Sequence, residues 1–393
     1  MENISVNLEN LKIAYSYKST SELKLTHFVF KILQKPNLLK LLKSIASGII
    51  KYNLPFKIFI KKTIFKLFCA GENIDEAFIL IKKLEKYKVN SVLDYVSEGE
   101  KTETAFLNNT ETIVSNIKRV GKECPGNYIS VKLSGLEDPL FLKQCNAKVF
   151  PKDPVIGKRF DKLLQRVDLI CLTAKENNVI LYIDAEDRFM QDIIDAIVEF
   201  MMKKYNKQNV IVFNTLQMYL KDRVNYLNQL IEIANTDKFY PGIKLVRGAY
   251  VEKEREEALI ENRESPVFDT KEETDNSFNT AVDICLKNHH NVMTCIASHN
   301  YKSNLLTIEL IKKYNIVDYK TKIKFSQLYG MCDGITFNLA ASGFSVSKYL
   351  PYGEVKKAIP YLIRRSDENT SINGQMNEEL NRLELELKNR NKI

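Results

Sequence analysis

Eight short apolar runs, rich in Val, Ile and Tyr, alternate with longer amphipathic segments through most of this chain. The runs have the length of strands, and segments such as 157–177, 189–205, 270–288 and 302–314 have the spacing of helices. Strands that alternate with helices form a parallel sheet, and eight such units fit a closed barrel better than an open sheet. We therefore predict an α/β protein built on a (β/α)8 barrel. The predicted strands are VNSVLDYV (89–96), YISVKLSGL (128–136), VILYIDAE (179–186), NVIVFNTLQ (209–217), PGIKLVRGAY (241–250), VMTCIASHN (292–300), IKFSQLYG (323–330) and FSVSKYLPYG (344–353).

Two regions flank the predicted barrel, which takes residues 89–370. Residues 1–88 are predicted to form an N-terminal helical arm, and residues 371–393 a charged helical tail on the solvated surface. The segment from Leu23 to Gly71 carries ten lysines and no acidic residue, whereas the whole chain has a net charge of +9. Such a localised charge indicates contact with anionic lipid or an acidic partner rather than nucleic acid. Helices packed on the barrel with their lysines in solvent are nevertheless favoured over direct contact with lipid, because the general signal of a basic amphipathic helix is weak.

Targeting signals are not evident in the first 30 residues. They lack a basic start followed by an apolar block, and they carry three glutamates and no arginine, unlike a mitochondrial presequence. The seven cysteines form no CxxC pair, which favours a reducing compartment. We expect a cytoplasmic protein, peripheral on the inner membrane if the basic arm binds lipid. The matrix face of the mitochondrial inner membrane is the alternative, if a targeting segment has been removed.

Polar and ionisable side chains gather at the C-terminal ends of the predicted strands. A buried strand that ends in charged groups is unfavourable unless those groups serve a site. In a barrel of this kind, the C-terminal rim is where active sites are built. One such residue would be an ordinary cap or loop residue, but the repetition over successive strands indicates a site. The residues are Asp94, Glu98, Lys132, Asp184, Glu186, Gln217, Lys244, Arg247, Ser298, His299, Asn300, Gln327 and Tyr349.

Several common motifs are missing from the sequence. No GxGxxG follows a strand, and there is no P-loop, HExxH or GxSxG. The adjacent His289 and His290 have no cysteine or further histidine at ligand spacing. We therefore expect neither a Rossmann dinucleotide site nor a metal site.

The densest group of charges is PYLIRRSDENTS at 360–371. On a helix, Tyr361, Arg364, Arg365 and Glu368 fall on one face. Arginine binds a carboxylate through two parallel hydrogen bonds, and Glu368 could receive an ammonium group or hold the arginines. The segment therefore suits a zwitterionic ligand, although a surface ion-pair helix or a phosphate site would use the same residues.

A second group is KLVRGAYVEKE at 244–254. Lys244 and Arg247 bracket a strand end, and Gly248 allows the backbone to approach a ligand closely. This pattern is typical of an anion or cofactor cradle.

Seven motifs, in order along the chain, give a specific resemblance. They are YIDAE (182–186), FNTLQMYLKD (213–222), KLVRGAY (244–250), ASHN (297–300), QLYGM (327–331), YLPYG (349–353) and YLIRRSDEN (361–369). Together they resemble the proline dehydrogenase family, and GENIDEA (71–77) resembles its N-terminal arm. The resemblance runs from about Asp94 to Asn369.

The resemblance implies a flavoenzyme on a distorted (β/α)8 barrel. Such an enzyme oxidises L-proline to 1-pyrroline-5-carboxylate, the first step of proline catabolism to glutamate. Hydride passes to N5 of FAD, and the electrons go on to a membrane quinone. A flavin on the barrel rim would account for the missing GxGxxG, and a quinone acceptor for the basic arm. The chain length leaves no room for a fused aldehyde dehydrogenase, so we expect a monofunctional enzyme.

The resemblance also carries roles to residues of this chain. It implies that Arg364 and Arg365 bind the proline carboxylate, with Lys132 as a third cation. Asp184 would lie beside the ring and the flavin, and Lys244 near flavin N5, so these two are the catalytic candidates. The other implied substrate contacts are Leu328, Tyr349, Tyr361 and Glu368. The residues implied to hold FAD are Ala185, Gln217, Val246, Arg247, Gly248, Ser298 and His299.

One position departs from many bacterial relatives, which have arginine where this chain has Lys244. Lysine still donates hydrogen bonds but lacks the planar fork, so we expect altered flavin electronics. Tyr349 favours proline, because related hydroxyproline enzymes tend to have a smaller residue there. A dehydrogenase for hydroxyproline or another cyclic amino acid is the first alternative. The others are a lyase or aldolase with Lys132 or Lys244 as a Schiff-base amine, and a non-catalytic barrel that binds an anionic partner.

Overall fold

Eight strands form a closed barrel in the order in which they occur in the chain. The structure is a computed structural model that describes residues 6–35, 60–97, 100–146, 154–371 and 373–391. The strands are β1 (Val89–Tyr95), β2 (Tyr128–Val131), β3 (Ile180–Ile183), β4 (Val212–Gln217), β5 (Gly242–Val246), β6 (Met293–Ala297), β7 (Ile323–Leu328) and β8 (Ser345–Tyr352). All eight predicted strands are present, and the predicted (β/α)8 barrel is confirmed. β2, β3 and β6 end before the polar residues predicted at their ends, so those residues lie on the connecting turns, whereas Asp94, Gln217, Lys244, Gln327 and Tyr349 lie within their strands. Glu98 lies outside the described residues.

Helices occupy the segments between the strands and at both ends of the chain. They are α1 (Leu11–Ala14), α2 (Thr20–Leu33), α3 (Lys66–Phe68, continuing a π-helical turn at Lys61–Phe65), α4 (Ile74–Glu85), α5 (Glu103–Glu123), α6 (Pro139–Asn146), α7 (Pro154–Glu176), α8 (Arg188–Tyr205), α9 (Arg223–Asp237), α10 (Val251–Ile260), α11 (Lys271–Lys287), α12 (Tyr301–Lys313), α13 (Tyr319–Lys322), α14 (Asp333–Ala341), α15 (Val355–Ser371) and α16 (Asn373–Arg390). Within the described ranges, no helix combines the length and apolar character needed to cross a bilayer.

Local sequence signals explain where several helices begin. Ser19 and Glu22 form a reciprocal capping box at the start of α2, and Thr270 and Glu273 form another at the start of α11. In each, both side chains satisfy backbone N–H groups that have no partner within the helix. Asn73 caps α4 through the N–H of Glu76 in the same way.

The chain divides into two compact units, one of residues 1–96 with 326–393 and one of residues 97–325. In the first unit, β1 and β8 pair in parallel from Val89 with Val346 to Tyr95 with Tyr352. In the second unit, β2 to β6 pair in parallel in chain order. The predicted limits of arm, barrel and tail, at residues 88 and 370, remain predictions.

Register places the side chains of the second unit in layers. Tyr182, Phe213 and Gly242 follow one another across β3, β4 and β5. The rings of Tyr182 and Phe213 meet edge to face, 4.9 Å apart between centroids, and a Cβ on Gly242 would lie 2.7 Å from the ring of Phe213. Glycine therefore makes room for the aromatic layer. Two residues further along β4 and β5, Thr215 pairs with Lys244 and begins the polar layer.

The arm and the tail share a hydrophobic core in the first unit. Leu23 and Phe30 of α2 belong to a buried cluster that also holds Leu380 and Leu383 of α16. The expectation that the tail is a solvated surface helix was therefore wrong. Its leucines at positions 380 and 383 lie on one helical face, and burial of that face holds the helix.

Candidate active site

Asp184, which follows β3, lies between Lys132, which follows β2, and Lys244 of β5. Its Oδ1 accepts a hydrogen bond from Lys244 Nζ at 2.6 Å, and its Oδ2 is 3.2 Å from Lys132 Nζ. The side chains of the three residues are 7–13% exposed. We call these residues the strand-end cluster. It joins the two predicted catalytic residues to the third cation predicted for the substrate, and two lysines with one carboxylate leave a net positive charge.

Glu186 connects the turns that follow β2, β3 and β4. Its Oε1 accepts a hydrogen bond from Ser134 N at 2.9 Å, which holds the turn after Lys132. Its backbone carbonyl accepts a bond from Gln217 Nε2 at 2.7 Å. The sequence marked Glu186 only as one polar strand end, and these bonds give it a structural role. Gln217, predicted to contact flavin, is fixed by the same connection.

A buried network on the outer side of β4 supports this turn. Gln191 Oε1 accepts from Glu186 N at 3.1 Å, and its Nε2 donates to Asp195 at 2.9 Å. Asp195 also accepts from Asn214 at 2.9 Å and from Arg223 at 2.6 Å. Burial raises the pKa of Asp195, although Arg223 opposes that effect. The network was not predicted, because its members are separated by loops and helices.

Arg247 is the centre of a second polar group at the ends of β5 and β6. Its Nε donates to Asp275 at 2.6 Å, its Nη1 to Ser298 Oγ at 2.7 Å and its Nη2 to Ser303 Oγ at 2.9 Å. Its guanidinium also lies 4.4 Å from the ring centroid of Phe278. The structure thus brings together Arg247 and Ser298, both predicted to hold FAD, and adds Asp275 and Ser303 as supports.

The charges around Arg247 are not fully balanced. Burial lowers the pKa of Arg247, with Asp275 opposing the shift. Burial would raise the pKa of Asp275, but hydrogen bonds from Lys271 and Arg247 outweigh it and lower that pKa. An arginine has five N–H donors, and three are used in the bonds just described. An anionic ligand would therefore be stabilised here.

Glycine is required at position 248 for a reason other than the predicted close approach of a ligand. Its φ of +121° is a backbone conformation that favours glycine, and an added Cβ would lie 2.1 Å from the ring of Tyr219. Packing of the chain against Tyr219 therefore requires glycine even without a ligand. The other residues predicted to hold FAD, which are Ala185, Val246 and His299, are half-buried at the same strand ends.

In the first unit, the two predicted walls of the substrate pocket are joined through the backbone. Leu328 ends β7, Tyr349 lies in β8, and Tyr329 N donates to the carbonyl of Tyr349 at 3.0 Å. The turn then continues through Gly330, whose φ is +81°. A Cβ there would lie 2.3 Å from the carbonyl oxygen of Leu67, so the glycine of QLYGM is required by packing.

The helix α15 carries the predicted carboxylate-binding arginines. The helix itself is confirmed, and it contains Pro360. Tyr361 is buried in the hydrophobic cluster of the first unit, and Arg364 is half-buried. The side chains of Arg365 and Glu368 lie outside the described part of the chain, so their shared face with Arg364 remains a prediction.

A buried charge cluster in the first unit was missed. Lys348 lies in the middle of β8 and is fully buried, beside Asp333 at the start of α14 and Lys18 of the arm. A lysine inside the apolar run FSVSKYLPYG was the available signal, because a buried charge needs a partner. We call Lys18, Asp333 and Lys348 the arm cluster.

The family of this chain follows from its match to a family model. A family model described as proline dehydrogenase matches residues 79–378. This chain belongs to the proline dehydrogenase family. It is therefore an oxidoreductase of proline oxidation, and the family it belongs to is a family of flavoenzymes.

Individual relatives agree with that assignment. Proline dehydrogenase 1, mitochondrial, of Dictyostelium discoideum is 33% identical over 436 residues, which cover 99% of this chain and 76% of the relative. The carbapenem antibiotics biosynthesis protein CarD of Pectobacterium carotovorum subsp. carotovorum is 31% identical over 322 residues, covering 82% of this chain and 83% of CarD.

A solved structure shares the fold. Proline utilization A from Bdellovibrio bacteriovorus, inactivated by N-propargylglycine, superposes with a TM-score of 0.72 at 22% identity. The superposition covers 91% of this chain and 38% of that longer one. At this identity, the likeness shows the fold alone.

The residues at the strand ends fit the flavin of a proline dehydrogenase. Lys244 and Arg247 are cations that can balance the phosphates and the electron-rich reduced ring. Thr215, in register with Lys244, has a buried hydroxyl oxygen without a hydrogen-bond partner among the described residues. An unsatisfied buried hydroxyl beside a lysine is consistent with a polar group that binds there.

Proposed function

We propose that this chain oxidises L-proline to 1-pyrroline-5-carboxylate with FAD as its cofactor. The observation that carries the proposal is the strand-end cluster, in which Asp184 is held by Lys132 and Lys244 at the rim predicted to be the active site. Family membership supports the reaction, and the donor set supports the flavin. Residues Gln217, Arg247, Ser298 and His299 would hold it, as would the backbone at Ala185, Val246 and Gly248.

Substrate binding rests on charge. Arg364 and Arg365, together with Lys132, are proposed to bind the proline carboxylate, and Leu328 and Tyr349 to wall the ring. Tyr361 and Glu368 would complete this pocket. Binding by several cations orients C5 before reaction, and such positioning contributes several kcal/mol to catalysis in general.

The chemistry removes two electrons and two protons from proline. The ring nitrogen loses its proton to solvent, the C5–H bond breaks, and a C5=N double bond forms. When bound, FAD accepts the two electrons and the hydrogen that leave C5. Asp184 keeps the Lys132 and Lys244 ammonium groups in place, and these cations stabilise negative charge that develops nearby.

An absorption spectrum tests the proposal first. The purified protein, or protein reconstituted with FAD, should show the two visible bands of oxidised flavin. Anaerobic L-proline should bleach them, and hydroxyproline should act more slowly because of Tyr349. A yellow protein that ignores proline would contradict the substrate. A colourless protein that does not recover with FAD would favour the lyase, which borohydride would trap with its carbonyl substrate, or the binding protein.

Arg364 can be tested on its own. Replacing Arg364 by Met should raise the KM for proline steeply and spare the FAD content, because the arginine is proposed to contact only the substrate carboxylate. The matched control is Arg119→Met, which removes an arginine that pairs with Glu123 on the surface of α5. Unchanged proline kinetics in Arg364→Met would remove Arg364 from the binding site.

We also propose that the electrons pass to a membrane quinone and that the arm contacts the membrane surface. On α2, Lys24, Phe28 and Lys31 are exposed at the spacing of one helical face, with Phe28 56% exposed. Cations that flank an exposed aromatic ring are typical of an interfacial helix. Lys31 has Glu384 at 3.4 Å and Lys61 has Glu72 at 2.5 Å, so the fold neutralises part of the predicted charge. Residues 36–59 of the arm lie outside the described part of the chain.

Several relatives are named mitochondrial, including those of Dictyostelium discoideum and Arabidopsis thaliana. We therefore propose the matrix face of the mitochondrial inner membrane, the alternative to the cytoplasmic location expected from the sequence. Vesicle flotation would test the contact. A Lys24→Glu, Phe28→Ser, Lys31→Glu variant should lose binding to vesicles that contain anionic lipid. Phe200→Ser, which removes another half-exposed phenylalanine, is the control. Equal binding by both variants would exclude α2 as the contact.

A further inference from the structure

Lys348 holds the turn that follows Leu328. Its ammonium group donates hydrogen bonds to the carbonyl of Leu328 at 3.3 Å and to the carbonyl of Met331, and it forms an ion pair with Asp333 Oδ1 at 2.9 Å. An ammonium group has three N–H donors, and two of them are used on these carbonyls, while the contact with Asp333 is an ion pair. The side chain of Lys348 is fully buried. The neighbouring residue in β8 is Tyr349, so one strand carries both a predicted pocket wall and the lysine that holds the opposite wall.

Asp333 connects this turn to the N-terminal arm. Its Oδ2 is 2.8 Å from Lys18 Nζ and 2.9 Å from the hydroxyl of Tyr17, which donates to it. The ring of Tyr17 stacks on Phe337 of α14, with centroids 4.2 Å apart. The position of Asp333 therefore depends on a segment more than three hundred residues away in the sequence.

The tail fixes that segment in turn. Arg390 of α16 donates to the carbonyls of Lys18 and Tyr15, each at 2.8 Å. Its Nε donates to Glu386 at 2.8 Å, so the arginine itself is oriented. A continuous set of polar contacts thus runs from the tail through the arm to the turn after β7.

We propose that Lys348 and, through Asp333, Lys18 are positioning residues that set the place of Leu328 against Tyr349 and thereby the fit of the substrate ring. The inference rests on the proposed function, in which these two residues wall the proline ring. Neither lysine touches the reacting atoms in this account. Leu328 is carried by a turn whose carbonyls are bound to β8, and loss of those bonds lets the turn relax away from the strand.

The backbone of the turn after β7 shows that this turn is held in place by its surroundings. Gly330 and Cys332 have positive φ values of +81° and +51°, and at Cys332, which is not a glycine, such a backbone persists only when its surroundings hold it. Cys332 is buried at 8% exposure, at the end of the same turn. The reactivity of its thiol therefore reports the looseness of the turn, independently of catalysis.

The experiment compares Lys348→Met, Lys18→Met and a control, Lys12→Met, which removes an exposed lysine from the same part of the arm. Thiol labelling is followed by mass spectrometry at Cys332, with the fully buried Cys285 as the internal reference for global opening. Proline kinetics, hydroxyproline kinetics and FAD content are measured on the same preparations. Lys18→Met keeps the test decisive if Lys348→Met does not fold.

We expect Cys332 to be labelled about tenfold faster in the two cluster variants, with Cys285 unchanged. The KM for proline should rise about tenfold, with kcat changed less than about threefold, and discrimination against hydroxyproline should fall. FAD content should be that of the wild type, and Lys12→Met should match the wild type throughout.

Three results would overturn the proposal: unchanged labelling of Cys332, faster labelling with an unchanged KM, or equal acceleration at Cys332 and Cys285. The last would mean that the cluster only stabilises the fold. A wild-type protein that does not oxidise proline would instead refute the proposed function, and the labelling comparison would still decide whether the arm cluster holds the turn.

Discussion

Two clusters in this molecule have the same composition, an aspartate between two lysines, and differ in what surrounds them. In the strand-end cluster, Lys132 and Asp184 follow β2 and β3, Lys244 lies within β5, and Lys132 remains 13% exposed. In the arm cluster, Asp333 is 2% exposed, and its neighbours come from the arm and from the interior of β8. Composition therefore does not distinguish the proposed active site from a structural support. The two clusters differ in position, because Lys132 and Asp184 lie on the turns after β2 and β3, whereas Lys348 is in the middle of β8 and Asp333 begins α14.

The largest effect should come from breaking the strand-end cluster. Asp184→Asn leaves Lys132 and Lys244 without the Asp184 carboxylate, and we expect kcat for proline oxidation to fall on the order of 10²–10³-fold. The matched variant is Asp333→Asn, the same substitution in the arm cluster, for which kcat should change less than about threefold. Steady-state kinetics of both variants check this. An equal loss of kcat would show that the two clusters do not differ in function.

The second largest effect is the contribution of Asp333 to the pH dependence of the unfolding free energy. The neighbouring cations Lys18 and Lys348 overcome the effect of burial and lower the pKa of Asp333 to about 2, from an ordinary value of 3.8. A lowered carboxyl pKa stabilises the fold above the ordinary value, and that stability is lost as the pH falls toward the folded value. The pH-dependent part is about 2 kcal/mol at neutral pH.

Urea unfolding of the wild type and Asp333→Asn, from about pH 7 down to about pH 3, measures this contribution. The difference in unfolding free energy should shrink as the pH falls below about 4. Burial and the charge of Asp333 raise the pKa of Glu379, so Asp333→Asn also lowers the pKa of Glu379, and the measured difference contains both groups. A difference that stays constant with pH would contradict an ionised Asp333 as its source.

A smaller effect is expected at Lys244. Lys244→Arg restores the residue of many bacterial relatives, and its guanidinium can still donate to Asp184. We expect kcat to stay within about tenfold of the wild type, with a shifted reduction potential of the bound flavin. Lys244→Met, which removes the charge, should lose more. If both variants behave alike, the charge at this position does not matter to the reaction.

The smallest effect is expected from an exposed ion pair, which serves as the baseline for the buried clusters. Lys221 and Glu264 form a surface pair at 2.7 Å, with Glu264 85% exposed. Exposed pairs contribute little, because solvent screens them. Lys221→Met should leave the urea midpoint and the proline kinetics unchanged. A measurable loss of stability or activity in Lys221→Met would mean that burial does not explain the effects of substitutions in the two lysine–aspartate clusters.

The sequence was sufficient to predict the strands but not all of the buried charged residues. All eight apolar runs became strands, since the alternation with helices left few other arrangements. The strand-end cluster was predicted because its residues recur at one point of each repeat. Lys348 and Asp333 were missed because the contacts that explain them are set by the fold, with Lys18 and Asp333 separated by 315 positions. The tail was predicted to be solvated although Leu380 and Leu383 were visible at helical spacing.

The ion pair between Lys18 and Asp333 also has a consequence for the synthesis and folding of the protein. The ribosome makes Lys18 early, and its partner is added 315 residues later. At ordinary translation rates, that interval is roughly 15–60 s. Throughout it, the arm is a cationic, partly apolar nascent segment whose docking surface does not yet exist. We therefore expect the newly emerged arm to be a preferred binding site for chaperones until its partners Asp333 and Arg390 have been synthesised.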